Sequence, residues 1–287
     1  MFQITTVPGA FPLVELADTD AGSLAVVAPT RGGMLTRFRV GGVEALYLDE
    51  GTFRDPGKNV RGGVPVLFPS PGKLTGDAWA RGGARGSLEQ HGFARKLPWE
   101  IAGTDTAGGA SVTLRLASSE ETRAAYPWDF TFALTYTLRG ARVDIEQRLT
   151  NRSRAPMPFG VGFHPYFHVP QAEKGLARIA TPATRAFDNV TRQEGAFTGF
   201  DLTRPEVDLH LVDHGSTSAT LSSPGQTLTV SCSPEFTRWV VWTLADRDFV
   251  CLEPWTCPGD ALNTGEGLLV LAPGEERALR TSLAIGG

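Results

Sequence analysis

The chain has 287 residues, of which 41% are hydrophobic, so it is long enough to bury a substantial core. The formal net charge is -4 and no block of lysine and arginine occurs, which excludes the basic face that nucleic-acid binding requires. No stretch of about 18 or more apolar residues predicts a membrane span, and residues 1–10 lack the order of a secretory signal. We therefore expect a cytoplasmic protein whose partner is a small molecule.

Short apolar segments, many of them alternating with polar residues, lie between frequent glycines and prolines and predict β-strands. In chain order, these predicted strands are residues 24–27, 111–116, 129–138, 142–150, 227–231, 239–243, 249–252 and 268–271. No amphipathic helix longer than about three turns is found. The sequence therefore predicts an all-β fold, with antiparallel strands forming a sandwich or a barrel.

Residues 51–92 form the most loop-like part of the chain, between the first and second predicted strands. Glycines, prolines and basic residues cluster there without an apolar period. Because binding residues tend to lie on loops that a rigid sheet supports, this segment is a candidate binding rim.

Three regions place polar or ionisable side chains among apolar and aromatic neighbours. They are Arg61-Gly-Gly-Val-Pro-Val-Leu-Phe-Pro with Gln90-His-Gly-Phe-Ala-Arg, then Gly162-Phe-His-Pro-Tyr-Phe, and Cys251-Leu-Glu-Pro-Trp-Thr. Desolvation in such surroundings raises the pKa of a carboxyl and lowers that of an imidazole, which can tune an acid and a base near neutrality. Aromatic rings also suit the apolar faces of sugars.

Each of these side chains also has a structural interpretation when its local context is taken alone. His164 fits a hydrogen-bonded structural histidine as well as a catalyst. Glu253 follows an apolar run, and such partly buried carboxylates are rare unless they are paired or functional. Arg61 fits a surface charge beside a bend, and His91 with Arg95 fits a solvated turn.

Metal and nucleotide sites receive little support. His164 and His168 have the spacing of two zinc ligands on a helix, but Pro165 disfavours a helix there. Cys232, Cys251 and Cys257 lack the paired spacing of a zinc ribbon and are expected to be reduced. The glycine-rich motifs of nucleotide sites and the serine elbow of hydrolases do not occur. We predict no metal site.

Taken in order along nearly the whole chain, the four motifs resemble the aldose 1-epimerase family. The Arg-Gly-Gly-Val-Pro and Gln-His-Gly-Phe-Ala-Arg segments together are most similar to its hexose-6-phosphate mutarotase branch. The resemblance implies a single domain over residues 1–287 and no cofactor. It also implies a large antiparallel β-sandwich, known as a supersandwich or galactose mutarotase-like fold, with a sugar or sugar phosphate bound in a cleft.

The resemblance further implies an acid and a base that open and close the sugar ring and so interconvert its α and β anomers. His164 resembles the general acid and Glu253 the general base. A substrate-binding aspartate is expected between these two segments. Asp208 is the preferred candidate, with Asp188 and Asp213 as alternatives.

Four further residues match positions that bind substrate in the family. Arg61, Gln90 and Arg95 fall where the hexose phosphate branch contacts its substrate. His91 falls where galactose-type relatives place a second sugar-binding histidine. An aldohexose and a hexose 6-phosphate both remain open as substrates, and so do a monomer and a homodimer.

A non-catalytic carbohydrate-binding protein on the same fold is the main alternative, because a fold does not determine a function. A glycoside hydrolase ranks third, since it usually needs two carboxylates and only one well-placed carboxylate is evident. The presence of both an acid and a base candidate favours the epimerase, because a binding site needs no matched proton donor and acceptor.

Overall fold

Antiparallel strands make up about half of the protein in a computed structural model that describes residues 1–286. In chain order, the strands are β1 (Phe2–Val7), β2 (Leu13–Asp18), β3 (Ser23–Ala28), β4 (Met34–Val40), β5 (Val43–Glu44), β6 (Val66–Leu67), β7 (Ala78–Arg81), β8 (Ala84–Ser87), β9 (Glu100–Asp105), β10 (Ala110–Ala117), β11 (Phe130–Arg139), β12 (Arg142–Asn151), β13 (Met157–Phe159), β14 (Gly162–Phe163), β15 (Tyr166–His168), β16 (Arg178–Ala180), β17 (Arg185–Asp188), β18 (Gln193–Ala196), β19 (Glu206–Leu211), β20 (Ser218–Ser223), β21 (Gln226–Cys232), β22 (Arg238–Leu244), β23 (Phe249–Trp255), β24 (Leu269–Leu271) and β25 (Glu276–Gly286).

The helices are short. They are α1 (Glu50–Arg54), α2 (Glu120–Ala125) and α3 (Ala261–Thr264), with 3-10 turns at Thr75–Asp77 and Gln171–Glu173. None of the helices formed by residues 1–286 has the length and apolar character that a membrane-spanning helix requires.

The strands form two large sheets and three smaller ones. The back sheet has the order β16-β20-β21-β25-β12-β11-β10-β9, and the cleft sheet has the order β18-β17-β19-β22-β23-β14-β6, with β15 also paired to β23. Strands β1 to β5 form a separate sheet, while β7 pairs with β8 and β13 with β24. The strands of both large sheets pair antiparallel, which confirms the predicted all-β class.

One hydrophobic core is shared by the back sheet and the cleft sheet, as in a sandwich. In β11, every second side chain is buried, because successive side chains point to opposite faces of a strand. Its buried members pack in the same core as apolar residues of β19 and β23, which are Val207, Leu209, Leu211, Val250 and Leu252. Full burial of one such side chain contributes roughly 1.5–3 kcal/mol.

All the predicted strand segments lie in strands of the structure, with ends that differ by at most three residues. The largest difference is in β23, which was predicted to end at Leu252 and continues to Trp255. Proline has no N–H for a ladder hydrogen bond and is usually confined to the edges, ends or bulges of a sheet. Here Pro254 lies one residue before the end of the strand, and Glu253 is therefore part of the sheet.

Residues 51–92 are more ordered than the predicted loop, because they include most of α1, all of β6, β7 and β8, and a 3-10 turn. The α1 helix has a local cause: the Asp49 carboxylate accepts a hydrogen bond from the Thr52 N–H, and Phe53 packs edge-on against Phe11. These elements were missed because each is too short to show a period. The segment nevertheless contributes part of the rim of a cleft on the cleft sheet.

A tight turn at residues 89–92 is held against Phe68. His91 and Gly92 both have positive φ angles, 72° and 67°, which side-chain-bearing residues rarely adopt. The Gly92 N–H donates to the Glu89 carbonyl at 2.9 Å. A Cβ atom on Gly92 would lie 2.2 Å from the Phe68 carbonyl oxygen, so only glycine fits without displacing the backbone.

We expect Gly92→Ala to destabilise the protein by about 1–2 kcal/mol for the left-handed backbone, and by a further 1–3 kcal/mol or so for the displaced Phe68 carbonyl. Gly83→Ala is the matched control, because Gly83 has a φ of 81° but, apart from its two chain neighbours, no residue of the described part of the chain lies within 4 Å of its Cβ position. Urea unfolding of both variants measures the difference. Equal losses of stability would show that the contact with Phe68 carries no cost.

Candidate active site

A cleft of about 1190 Å³ lies on the face of the cleft sheet that points away from the core. Its walls come from β19, β22 and β23 and from loop segments near residues 59–61, 72–76, 90–95 and 258–260. All the site residues predicted from the sequence line it, namely Arg61, Gln90, His91, Arg95, His164, Asp208 and Glu253. The fold therefore brings together side chains that are widely separated along the chain.

Alternation along β23 explains why its polar side chains face the cleft. Val250 and Leu252 point into the core, so Cys251, Glu253 and Trp255 point to the other face. The neighbouring β22 lies in register with β23, and Val240 stands opposite Glu253. The carboxyl of Glu253 is thus fixed by a strand in the middle of a sheet.

His164 and Glu253 form a buried pair at the floor of the cleft. The His164 Nε2 atom lies 3.4 Å from Oε1 of Glu253, whose side chain is 1% exposed. The indole N–H of Trp255 donates to the other carboxyl oxygen, Oε2, at 3.1 Å. The His164 ring stacks on Tyr166 with 4.6 Å between the ring centroids. Both members of the pair are therefore held in one orientation.

Burial moves the pKa values of the pair in opposite directions. It raises the pKa of Glu253 well above its usual range, and the nearby Asp208 carboxylate raises it further. It lowers the pKa of His164 well below its usual value, and the positive charge of Arg95 acts in the same direction. Burial therefore disfavours the charged form of both groups, so a proton shared by the pair is favoured on the Glu253 carboxyl.

His91 presents an unprotonated ring nitrogen to the cleft. Its Nδ1 atom is hydrogen-bonded to the Pro71 carbonyl, which can only accept, so we assign the proton to Nδ1 and leave Nε2 as an acceptor. Burial, aided by the charge of Arg95, lowers the pKa of His91 to about 3. The ring lies edge-on to His164, with 5.5 Å between centroids. A neutral acceptor therefore stands beside the buried pair.

Two predicted arginines reach the cleft from its rim. Arg95 donates from Nη2 to the Gln90 carbonyl at 2.8 Å, while its buried Nε has no hydrogen-bond partner among the described residues. The Arg61 guanidinium lies over the Trp242 ring at 5.9 Å. This cation–π contact leaves its donors available to a ligand.

The other basic side chains of the cleft divide into paired and unpaired groups. Arg185 forms an ion pair with Glu194, and Arg238 forms one with Glu266. The ammonium of Lys73 makes no ion pair or hydrogen bond within residues 1–286. The cleft thus keeps positive charge near its rim that the protein itself does not neutralise.

Of the three candidate aspartates, the structure places Asp208 in the cleft. Asn189 donates to its Oδ2 at 2.7 Å, and Nε2 of His210 lies 3.4 Å from its Oδ1. Asp188 and Asp213 do not line the cleft. Asp188 pairs with an arginine, and Asp213 accepts hydrogen bonds from two backbone N–H groups.

Several side chains that line this cleft were not predicted from the sequence, namely Tyr166, His210, Trp242, Trp255 and Lys73. Strand alternation carries a signal for one of them, because His210 follows Asp208 by two residues and shares its face of β19. The zinc arrangement considered for His164 and His168 does not form, since His168 belongs to the extended β15 rather than to a helix. The three cysteines are free, as predicted.

Comparison with known proteins identifies related chains. The family model for aldose 1-epimerase matches residues 13–284. The Slr1438 protein of Synechocystis sp. PCC 6803 has a crystal structure with a TM-score of 0.94 and 37% sequence identity, covering 100% of this chain and 99% of that one. A galactose mutarotase-like protein from Clostridium acetobutylicum has a TM-score of 0.86 at 19% identity, with 100% and 99% coverage. The fold is the predicted galactose mutarotase-like sandwich.

A curated relative, named "Putative glucose-6-phosphate 1-epimerase", comes from Escherichia coli (strain K12). It is 33% identical over 128 residues, which are 44% of this chain and 38% of that protein. The match therefore spans well under half of the relative's length.

We expect Trp255→Phe to raise the pKa of Glu253 still further, because the lost indole N–H donates to the carboxylate and so stabilises its charged form. Carbon-13 NMR of labelled glutamate carboxyls, followed against pH, measures the change. Trp242→Phe is the matched control, since that indole donates to Glu206 instead. An unchanged or lowered pKa of Glu253 in Trp255→Phe would contradict this account of the carboxyl.

Proposed function

Because the chain belongs to the aldose 1-epimerase family, we propose that it is a mutarotase that interconverts the α and β anomers of an aldohexose. One observation carries the proposal: a carboxyl and an imidazole lie 3.4 Å apart at the floor of a cleft with aromatic walls. A carbohydrate-binding protein needs hydrogen bonds and stacking rings but has no use for this matched pair.

Anomer exchange requires the pyranose ring to open. In the proposed step, the Glu253 carboxylate takes the proton of the C1 hydroxyl and the C1–O1 bond becomes a carbonyl. The C1–O5 bond breaks as O5 takes a proton from Nε2 of His164. Rotation about C1–C2 presents the other carbonyl face, and the two transfers then run in reverse to close the ring. Positioned proton transfer of this kind contributes about 10²- to 10⁴-fold in rate.

The cycle needs one proton on the pair. Burial favours that proton on Glu253 in the free cleft, whereas the opening step uses a protonated His164. The resemblance to the general acid implied a protonated His164, and the sequence alone did not reveal how completely this residue is buried. In our proposal the proton passes directly between Oε1 and Nε2 before the ring opens. The protonated carboxyl and neutral imidazole are also the state that ring opening produces.

Neighbouring side chains supply the contacts that a sugar would need. The Nε2 atom of His91 and the carboxylate of Asp208 accept hydrogen bonds from hydroxyls, and Gln90 offers an amide at the rim. Trp242 and Trp255 provide apolar ring surface beside the pair. In the proposed site, these hydrogen-bonding and aromatic side chains hold the sugar next to the acid–base pair.

We further propose that the substrate is a hexose phosphate. The unpaired charge of Lys73 and the free donors of Arg61 and Arg95 suit a phosphate group, because a guanidinium binds such oxygens through two parallel hydrogen bonds. The name of the Escherichia coli relative specifies glucose 6-phosphate, which agrees with this substrate class.

Glu253→Gln and His164→Asn should each reduce catalysed anomer exchange by about 10²- to 10⁴-fold while the fold is kept. Optical rotation of fresh α-D-glucose and α-D-galactose, and NMR exchange for glucose 6-phosphate, measure the rate. Glu206→Gln is the matched control, since within residues 1–286 this exposed cleft carboxylate accepts a hydrogen bond only from Trp242. Near-normal activity in either site variant would overturn the assigned roles. Sugar binding by the wild type without acceleration would favour a non-catalytic binding protein.

Arg61→Gln should raise the KM for glucose 6-phosphate about tenfold or more, because a hydrogen bond to a charged group contributes roughly 1.5–3 kcal/mol. The KM for glucose should change little. Arg185→Gln removes a positive charge that Glu194 already neutralises, so it serves as the control. Equal effects on both sugars, or no preference of the wild type for the phosphate, would show that the substrate is unphosphorylated.

A further inference from the structure

A thiol lies beside the acid–base pair. The donor atoms of His164, Cys251 and Glu253, which are an imidazole nitrogen, a sulfur and a carboxyl oxygen, all lie within 4.8 Å of one another. All three side chains are buried. The thiol has no part in the proposed ring opening, so its position needs another explanation.

The sheet builds this cluster by strand geometry. Cys251 and Glu253 are two residues apart on β23 and therefore share a face. Tyr166, two residues after His164, stands opposite Cys251 in the pairing of β15 with β23. Both elements are fixed in the middle of the cleft sheet, so the three donors converge without support from a mobile loop.

We propose that His164, Cys251 and Glu253 form an inhibitory binding site for a thiophilic divalent cation such as Zn²⁺. Nitrogen, sulfur and oxygen donors of these three types are the ligands that zinc accepts in proteins, at about 2.0–2.3 Å. Tetrahedral bonds of that length place ligands roughly 3.5 Å apart, so a small inward movement closes the cluster around an ion.

Charge and access both suit an ion at this position. A thiolate and a carboxylate carry two negative charges, which balance a divalent cation in a buried place, while the imidazole stays neutral. Binding releases the thiol proton and the proton of the His164–Glu253 pair to solvent. His164 and Glu253 line the cleft, so an ion can reach the site from solvent. The fourth position of the tetrahedron is left for water.

Inhibition follows from the shared ligands and rests on the proposed function. An ion bound to Nε2 of His164 and to the Glu253 carboxylate removes both groups from proton transfer. It also occupies the floor of the cleft, so zinc and sugar should compete. Binding of the ion itself does not depend on the proposed function.

Cobalt(II) is the probe for binding, because a cobalt–thiolate bond gives a charge-transfer absorption that other ligands do not. The wild type should show this band at one ion per chain, and Zn²⁺ should abolish it by displacement. Cys251→Ser should lack the band and bind Zn²⁺ at least about tenfold more weakly by calorimetry. His164→Gln should also weaken cobalt binding. Cys232→Ser, on the back sheet, is the matched control and should behave as the wild type.

Activity provides the second measurement. Cys251→Ser should keep the anomer exchange rate of the wild type in the presence of a chelator and should resist Zn²⁺ at least about tenfold better. Absence of the cobalt band in the wild type, or unchanged zinc affinity in Cys251→Ser, would overturn the site. A cobalt band in a wild type without epimerase activity would instead retain the metal site and reject the proposed function.

Discussion

Each strand that borders the cleft contributes side chains both to the hydrophobic core and to the cleft, because successive side chains along a strand point to opposite sides of a sheet. In β23 this constraint places Val250 and Leu252 in the core and Glu253 with Cys251 on the other side. The same rule places Asp208 on the cleft face of β19. A shift of register by one residue would exchange the two sets, so the apolar core also determines which chemical groups reach the cleft.

Burial of the acid–base pair has a cost that the same strand offsets. A buried polar group without full hydrogen bonding costs roughly 1–3 kcal/mol, and Nδ1 of His164 has no partner among the described residues. Burial of apolar side chains such as Leu252 contributes about 1.5–3 kcal/mol each on the opposite face. The sandwich can therefore hold ionisable groups in surroundings that alter their pKa values, which is the condition for proton transfer near neutrality.

The sequence predicted the parts of the fold whose pattern is long and regular. β10, β11 and β12 alternate over eight to ten residues, so their period is visible without a structure. The short elements between residues 51 and 92 could not be predicted, because a strand of two residues has no period. The site residues came from motif resemblance, whereas their meeting point depends on long-range pairing such as that of β14 with β6 and β23. Trp242 lies outside those motifs and became evident only from its place on the cleft face, whereas the alternation of β19 gives a signal for His210.

The residues proposed to open the ring and the residues proposed to select the sugar lie on different parts of the fold. Glu253 lies on a central strand and His164 between two short strands of the same sheet, whereas Arg61, Lys73 and Gln90 lie on the rim. A substitution on the rim changes which substituents of a sugar find partners and leaves the separation of the pair unaltered. Members of one family can therefore share ring opening and differ in substrate, because specificity depends on loops that vary more freely than the sheet. For the same reason, a family resemblance predicts the reaction of this cleft more firmly than it predicts the sugar.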